Sequence, residues 1–218
     1  PTQSFYLGPL QSIANGAVPP TIQFNLGFES LRNIFFCFIP NDYTANSSFR
    51  KQYRLSMGIT SVQVKIGTDY YPQLAIKGNG GNNYGALNNY QYVRYLFKAF
   101  GKHLKPEGTV INPHNFSINC RANDPASADA NLISDNQGCF YEENRVIGKA
   151  VYAVPLDALN YDNSLLSGIN TTMQKPFELL LGYDASKVFT RNVTFISFCH
   201  YDMILYLGPD GVRALGKA

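Results

Sequence analysis

Asn192-Val193-Thr194-Phe195-Ile196-Ser197-Phe198-Cys199-His200-Tyr201-Asp202-Met203-Ile204-Leu205-Tyr206-Leu207 runs directly into Gly208-Pro209-Asp210-Gly211. As an extended strand it places Thr194, Ile196, Phe198 and Ile204 on one side, and Val193, Phe195, Cys199, Tyr201, Met203, Leu205 and Leu207 on the other. Both sides are largely apolar, so the strand is expected to be buried on both. An antiparallel sheet usually leaves one face to water. A long strand apolar on both faces belongs in a sheet covered by a partner sheet on one side and by another domain or subunit on the other. The set containing Val193, Phe195, Cys199, Tyr201, Met203 and Leu205 carries more apolar bulk and is expected to face the core.

The rest of the 218-residue chain agrees with one β-rich domain, of a length that buries a substantial core. Fifteen Tyr, fifteen Phe, eighteen Gly and twelve Pro, with no Trp, suit many short strands better than a helical bundle. Charged residues make up only 15%, against roughly 25% in an ordinary soluble domain, as expected of a protein much of whose surface is covered by neighbours. The net charge of +3 comes from scattered Lys and Arg and leaves no nucleic-acid footprint.

Cys37, Cys120, Cys139 and Cys199 fit no C-x-x-C pattern; Cys37 and Cys199 sit in apolar strands and are expected to be buried and reduced. Cys120 and Cys139 remain a candidate bridge. Asn46, Asn115, Asn170 and Asn192 head Asn-x-Ser/Thr sequons, which are read as chance occurrences in a chain rich in Asn, Ser and Thr. The longest apolar run, Ile34 to Ile39, falls far short of the roughly twenty residues of a membrane-crossing helix. Pro1 stands where an initiator Met is expected, so the chain is taken as processed or as a part of a longer polypeptide.

Residues 1 to 20 hold turn formers without a sustained period, and are read as an N-terminal arm or inter-domain connection before a single domain over 21 to 218. Ile22, Phe24, Leu26 and Phe28 alternate. Asn33 to Ile39 is a continuous apolar strand ended by Pro40, and Val62, Val64 and Ile66 pair across Gly67-Thr68-Asp69 with Tyr70 to Ile76. Further strands are expected at Val146 to Val154 and Phe177 to Leu181. One helix interrupts them: from Asn88 or Asn89 as cap, Tyr92, Tyr95, Leu96, Ala99 and Phe100 form a stripe ending at Gly101. That stripe is read as core rather than as a stacking platform for bases.

Catalytic constellations are nearly absent. His103, His114 and His200 share no metal-ligand spacing, and the two His one residue apart followed by Glu of a cupin site do not occur. His200 and Asp202 lie on one side of the last strand, where a hydrogen-bonded pair at an interface is preferred to a base with its orienter; Ser197 points the other way. Glu142 and Glu143 are adjacent and diverge in an extended chain. No nucleophile elbow, phosphate loop or dinucleotide fingerprint is present, so the chain is expected not to be an enzyme and to need no cofactor or metal.

With these parts in order, the chain resembles one roll of the double-jelly-roll major capsid proteins of double-stranded DNA viruses, in the virophage, Polinton and adintovirus branch. The resemblance rests on Ile22 to Phe28, Gly58-Ile59-Thr60-Ser61-Val62-Gln63-Val64, the helix Asn88 to Phe100, Lys149-Ala150-Val151-Tyr152-Ala153-Val154-Pro155-Leu156-Asp157, the linker Ser167-Gly168-Ile169-Asn170 and the terminal strand. It implies an all-β antiparallel jelly-roll sandwich of two four-stranded sheets with one inserted helix. It implies a structural role in a virion shell, as a homotrimeric pseudo-hexagonal capsomer packed against itself and other capsid proteins and assembled inside the host cell. A full subunit of that family holds two rolls, so the chain is read as the C-terminal roll or a single-roll relative such as a penton. The candidate interface is Phe195, Ile196, Phe198, His200, Asp202, Ile204 and Tyr206. The alternative is a lectin-like or receptor-binding module, with Tyr70, Tyr71, Tyr84, Tyr90 and the Asn-rich loop Asn79 to Asn89 contacting sugar.

Overall fold

A computed structural model of the chain describes residues 2–8, 10–14, 20–24, 27–40, 54, 57–78, 86–101, 111, 116, 150–157, 167–172, 177–183, 193–209 and 211–215. In chain order these form β1 (Thr2–Leu7), β2 (Gln11–Ile13), β3 (Thr21–Phe24), β4 (Leu31–Pro40), β5 (Ile59–Ile66), β6 (Asp69–Lys77), α1 (Ala86–Ala99), β7 (Tyr152–Pro155), β8 (Phe177–Tyr183), β9 (Val193–Gly208) and β10 (Gly211–Leu215). One sheet runs β1-β9-β4-β7, the other β3-β8-β5-β6. All pairings between them are antiparallel. Cys120, Cys139, His103, His114, Glu142, Glu143, Tyr84 and the sequons at Asn46, Asn115 and Asn192 lie outside the described residues.

The pairings nest. The outermost strands β1 and β9 pair, inside them β3 with β8, then β4 with β7, and innermost the β5–β6 hairpin. A long antiparallel ribbon rolled so that alternate pairs fall into two facing sheets gives this order, and it defines a jelly roll. Among the described elements, the expected all-β sandwich with one helix is therefore what the chain forms. The first sheet is fuller than two four-stranded layers would have it. Both β1 and β2 line the edge of β9 opposite β4, and β10 pairs with the end of β9. The segment expected to be irregular before residue 20 thus supplies two strands of the sheet.

Burial follows the pleat. On β5, Ile59, Val62, Val64 and Ile66 face inward; on β8, Phe177, Leu179 and Leu181 do. Phe24 stacks on Phe177 with centroids 4.5 Å apart, and Phe36, Phe38 and Phe195 form a second aromatic group. Each such ring contributes about 1.5–3 kcal/mol by leaving water. The helix stripe is core from Tyr92 to Ala99, while Phe100 at its end is exposed; the Tyr92 hydroxyl donates to the Ile59 carbonyl at 3.1 Å and its ring meets Tyr152 edge-on. α1 starts at Ala86, so Asn88 and Asn89 lie inside it rather than capping it, while Gly101 ends it as expected, with φ of 69° and its N–H on the Lys98 carbonyl.

Candidate functional site

β9 is the axis of the first sheet, and its two sides separate cleanly. Val193, Phe195, Cys199 and Tyr201 are in the core, with Met203 packed against it, so the heavier apolar set faces inward as far as Met203, while Leu205 is exposed. Phe195 is fully buried. It belongs to the core and not to an interface, which corrects its place among the candidate contact residues.

The opposite side of β9 builds a different surface. Across the sheet, Leu7, Phe198, Phe35 and Ala153 align in one row, and Phe5, His200, Asn33 and Pro155 in the next. α1 covers only the β4–β7 half: Leu96 and Ala99 pack with Phe35 and Ala153, and Phe100 stacks on Phe35 at 5.0 Å. Among the described residues nothing covers the β1–β9 half. Phe5 is 61% exposed, Phe100 48%, Leu7 47% and Phe198 40%. Ile196 and Ile204 are partly buried on the same side, and Tyr206 is exposed farther along the strand.

His200 and Asp202 share that outer side, but they bond to other groups within the chain, and both are buried. They are therefore not free contact residues. His200 Nδ1 lies 3.0 Å from the Asn33 side-chain amide nitrogen and Nε2 lies 3.1 Å from Gln3 Oε1. A neutral imidazole carrying its proton on Nε2 satisfies both contacts. Burial pushes the His200 pKa below its usual value and the Arg32 guanidinium adds to this, against the opposing pull of Asp202 and Asp157. The ring stacks on Phe5 with centroids 4.6 Å apart.

Asp202 takes part in a buried polar cluster that clamps three segments of chain. The register of β4 against β9 shifts between Leu31 and Asn33, and this bulge sets Arg32 apart from the ladder. Arg32 Nε and Nη2 donate to Asp157 Oδ2 at 3.1 and 2.7 Å, and Nη1 lies 3.6 Å from Asp202 Oδ1. Ser30 donates to Asp202 Oδ2 at 2.8 Å and Ser167 to Asp157 Oδ2 at 2.6 Å. The linker Ser167-Gly168-Ile169-Asn170 is held by the same group. The Gly168 N–H donates to Ser30 Oγ at 3.0 Å, and Leu31 and Ile169 exchange two backbone bonds of 2.9 Å. A Cβ at Gly168 would lie 2.6 Å from the Leu31 carbonyl carbon and oxygen, so only glycine allows this approach.

A cleft of about 200 Å3 opens where this cluster meets the C-terminal end of α1, between Phe5, Asn33, Phe35, Phe100 and His200. Asn33 Oδ1 is buried there with no partner among the described residues. Among those residues no three His, Cys, Asp or Glu side chains converge as metal ligands, and no helix is long and apolar enough to cross a membrane. Cys37 and Cys199 are free and buried, as the sequence suggests, and burial pushes the Cys199 thiol up to about 12. Of the residues proposed for sugar contact, Tyr70 on β6 and Tyr90 on α1 are exposed, while Tyr71 packs against the core.

Phe5 and Leu7 join the open surface without having been singled out from sequence, and Phe100 joins it although the helix stripe was read as core. The available signal for the first two was period-2 spacing in Phe5-Tyr6-Leu7, which turns the larger apolar side chains outward. No protein-family model and no curated protein matches the sequence. The fold is similar to that of the mavirus major capsid protein, whose crystal structure aligns with a TM-score of 0.50 at 12% identity, over 99% of this chain and 40% of that one. The chain thus spans well under half the length of that protein, and what the two share is a jelly-roll fold.

Proposed function

We propose that this chain is a structural jelly-roll subunit of a viral capsid, and that the open half of its outer sheet face packs against neighbouring capsid subunits. The observation that carries this reading is the likeness to a viral major capsid protein along 99% of the chain. The exposed row of Phe5, Leu7, Phe198 and Phe100 supports it, because a solitary roll gains nothing from leaving such a face in water. In this reading the chain resides in the virion, assembles inside the host cell as trimeric pseudo-hexagonal capsomers, and contacts itself and other capsid proteins. The jelly roll suits such a role because its pairings close most of its own edges and leave its faces and loops for neighbours.

Sedimentation velocity and electron microscopy of the purified chain test the proposal. Trimers or larger shells are the expected outcome. A monodisperse monomer that binds sugars on a glycan array would overturn it in favour of a lectin-like module.

A further inference from the structure

The path β1-β9-β4-β7 ends in β1 and β7, and the path β3-β8-β5-β6 in β3 and β6. Three of these four edges are blunted. β3 and β7 have four residues each, and β7 ends at Pro155 with Ala153 packed under Leu96 and Ala99 of α1. β6 holds Pro72, and its register against β5 shifts between Val62 and Val64. The Gln63 side-chain amide fixes that irregular stretch by donating to the Pro72 and Gln73 carbonyls at 2.9 and 3.1 Å. Short length, proline and bulges are the devices that keep sheet edges from pairing with other chains. β1 has none of them. Thr2-Gln3-Ser4-Phe5-Tyr6-Leu7 is six residues long, uncharged and free of proline, and its register with β9 is unbroken.

The groups that this edge offers follow from the ladder. The Gly8 N–H donates to the Ser197 carbonyl at 2.8 Å, one step beyond Leu7 opposite Phe198. Bonded pairs alternate along an antiparallel ladder, so Tyr6, Ser4 and Thr2 turn their N–H and C=O toward β9, and Leu7, Phe5 and Gln3 turn theirs outward. The Asp202 N–H, donated to the Ser30 carbonyl on the opposite side of β9, fits the same phase. Among the described residues no strand meets the outward groups. This row is its own complement. Two copies of β1 set antiparallel about Phe5 bring Phe5 opposite Phe5, with Cα atoms about 5.5 Å apart, and each Gln3 opposite a Leu7, for about six hydrogen bonds. No like charges meet. Directly opposed residues share a face, so the apolar row of Phe5 and Leu7 runs on across the axis.

We propose that β1 pairs antiparallel with β1 of a second copy of this chain, about a two-fold axis at Phe5, so that the first sheets of two rolls become one. The contact is isologous, the same strand serving both copies. A two-fold contact does not build a trimer, so it joins copies that belong to different capsomers. The proposal rests on the self-association in the functional reading above and assigns one of its contacts.

Phe5→Cys in the full chain, shown by circular dichroism to fold like the parent, tests it. The variant is oxidised mildly with copper phenanthroline in air, and disulfides are mapped by mass spectrometry against the unsubstituted chain, which accounts for native thiols. Leu74→Cys, at an 85% exposed position on β6, measures chance encounters. The expected result is a 5-to-5 disulfide that forms faster than the 74-to-74 link. Adding Leu7→Pro should abolish that advantage and adding Leu7→Ala should keep it, because only proline removes an outward N–H. A 5-to-5 link no faster than chance in chains that sediment as assemblies would overturn the edge pairing and leave self-association standing. Equal loss with Leu7→Ala and Leu7→Pro would also overturn it, by placing the contact on side chains rather than on the backbone edge. Monomers by sedimentation with no 5-to-5 link above chance would overturn both readings.

Discussion

On the inner side of β9, Val193, Phe195, Cys199 and Tyr201 join the single large core of the sandwich; on the outer side, Phe198 stands open beside Phe5 and Leu7 while His200 and Asp202 are buried among polar partners. Both sides carry apolar residues, yet one is covered by the chain's own second sheet and the other, among the described residues, over the half that α1 reaches. Apolar residues on the inner side set whether the chain folds. Those on the outer side, in the function proposed above, set what the folded chain meets.

That division is open to direct test. Phe195→Ala is expected to destabilise the chain by about 3–5 kcal/mol in urea unfolding, because a fully buried ring leaves a cavity that the surrounding sheet cannot collapse. A loss below about 1 kcal/mol would mean that the inner side is not packed as described. Arg32→Ala is expected to cost about 3–5 kcal/mol as well, because it leaves two buried carboxylates without their cation. Its place on the outer side makes it the sharper case: some residues there hold the fold together and face no neighbour.

A smaller effect is expected from acidification. The folded-state pKa of His200 is lowered, so the unfolded chain binds this proton more readily. His200 therefore contributes stability that is present above the unfolded value near 6.5 and is lost as pH falls from there toward the folded value. The groups around it are Arg32, Asp202 and Asp157 as charges, Gln3 and Asn33 as hydrogen-bond partners, and Phe5 as a stacked ring. Unfolding midpoints across pH 7 to 5 should fall less steeply in His200→Gln than in the parent. An unchanged slope would remove His200 from the account. The smallest effect on folding is expected at Phe198→Asp, within about 0.5 kcal/mol of the parent, with loss of assembly in sedimentation. A variant that assembles normally would show that the open face is not a contact.

The terminal strand, the β4 run and the β5–β6 hairpin were legible in the sequence because their apolar residues either alternate or run unbroken between turn formers. β1 was not, because its larger apolar residues, Phe5 and Leu7, point outward and leave Ser4 and Tyr6 on the inner side. β10 is short, and the Pro209-Asp210-Gly211 step between Leu207 and Val212 was the turn signal that could have marked it. The heavier side of β9 was assigned correctly from composition alone. The Arg32 cluster was beyond reach: Asp157 is 125 residues from Arg32, and Asp202 is 172 from Ser30. Nothing in the local pattern announces such pairs. His200 and Asp202 shared a side, as the period-2 rule requires, but their partners came from β1, from β4 and from the residue just before β4.

The nesting of the strands has a consequence for the order of events during synthesis. β1 is made well before its ladder partner β9, so the first sheet stays incomplete while the strands between them are being made. The β5–β6 hairpin closes locally, whereas the β1–β9 pairing must wait and then bridge nearly the whole chain, which makes it the slow and entropically costly step. The open apolar row draws Phe5 and Leu7 from β1 and Phe198 from β9. Its assembled form therefore exists only on a roll that has finished closing, and a roll still open would lack the surface that the proposed assembly uses.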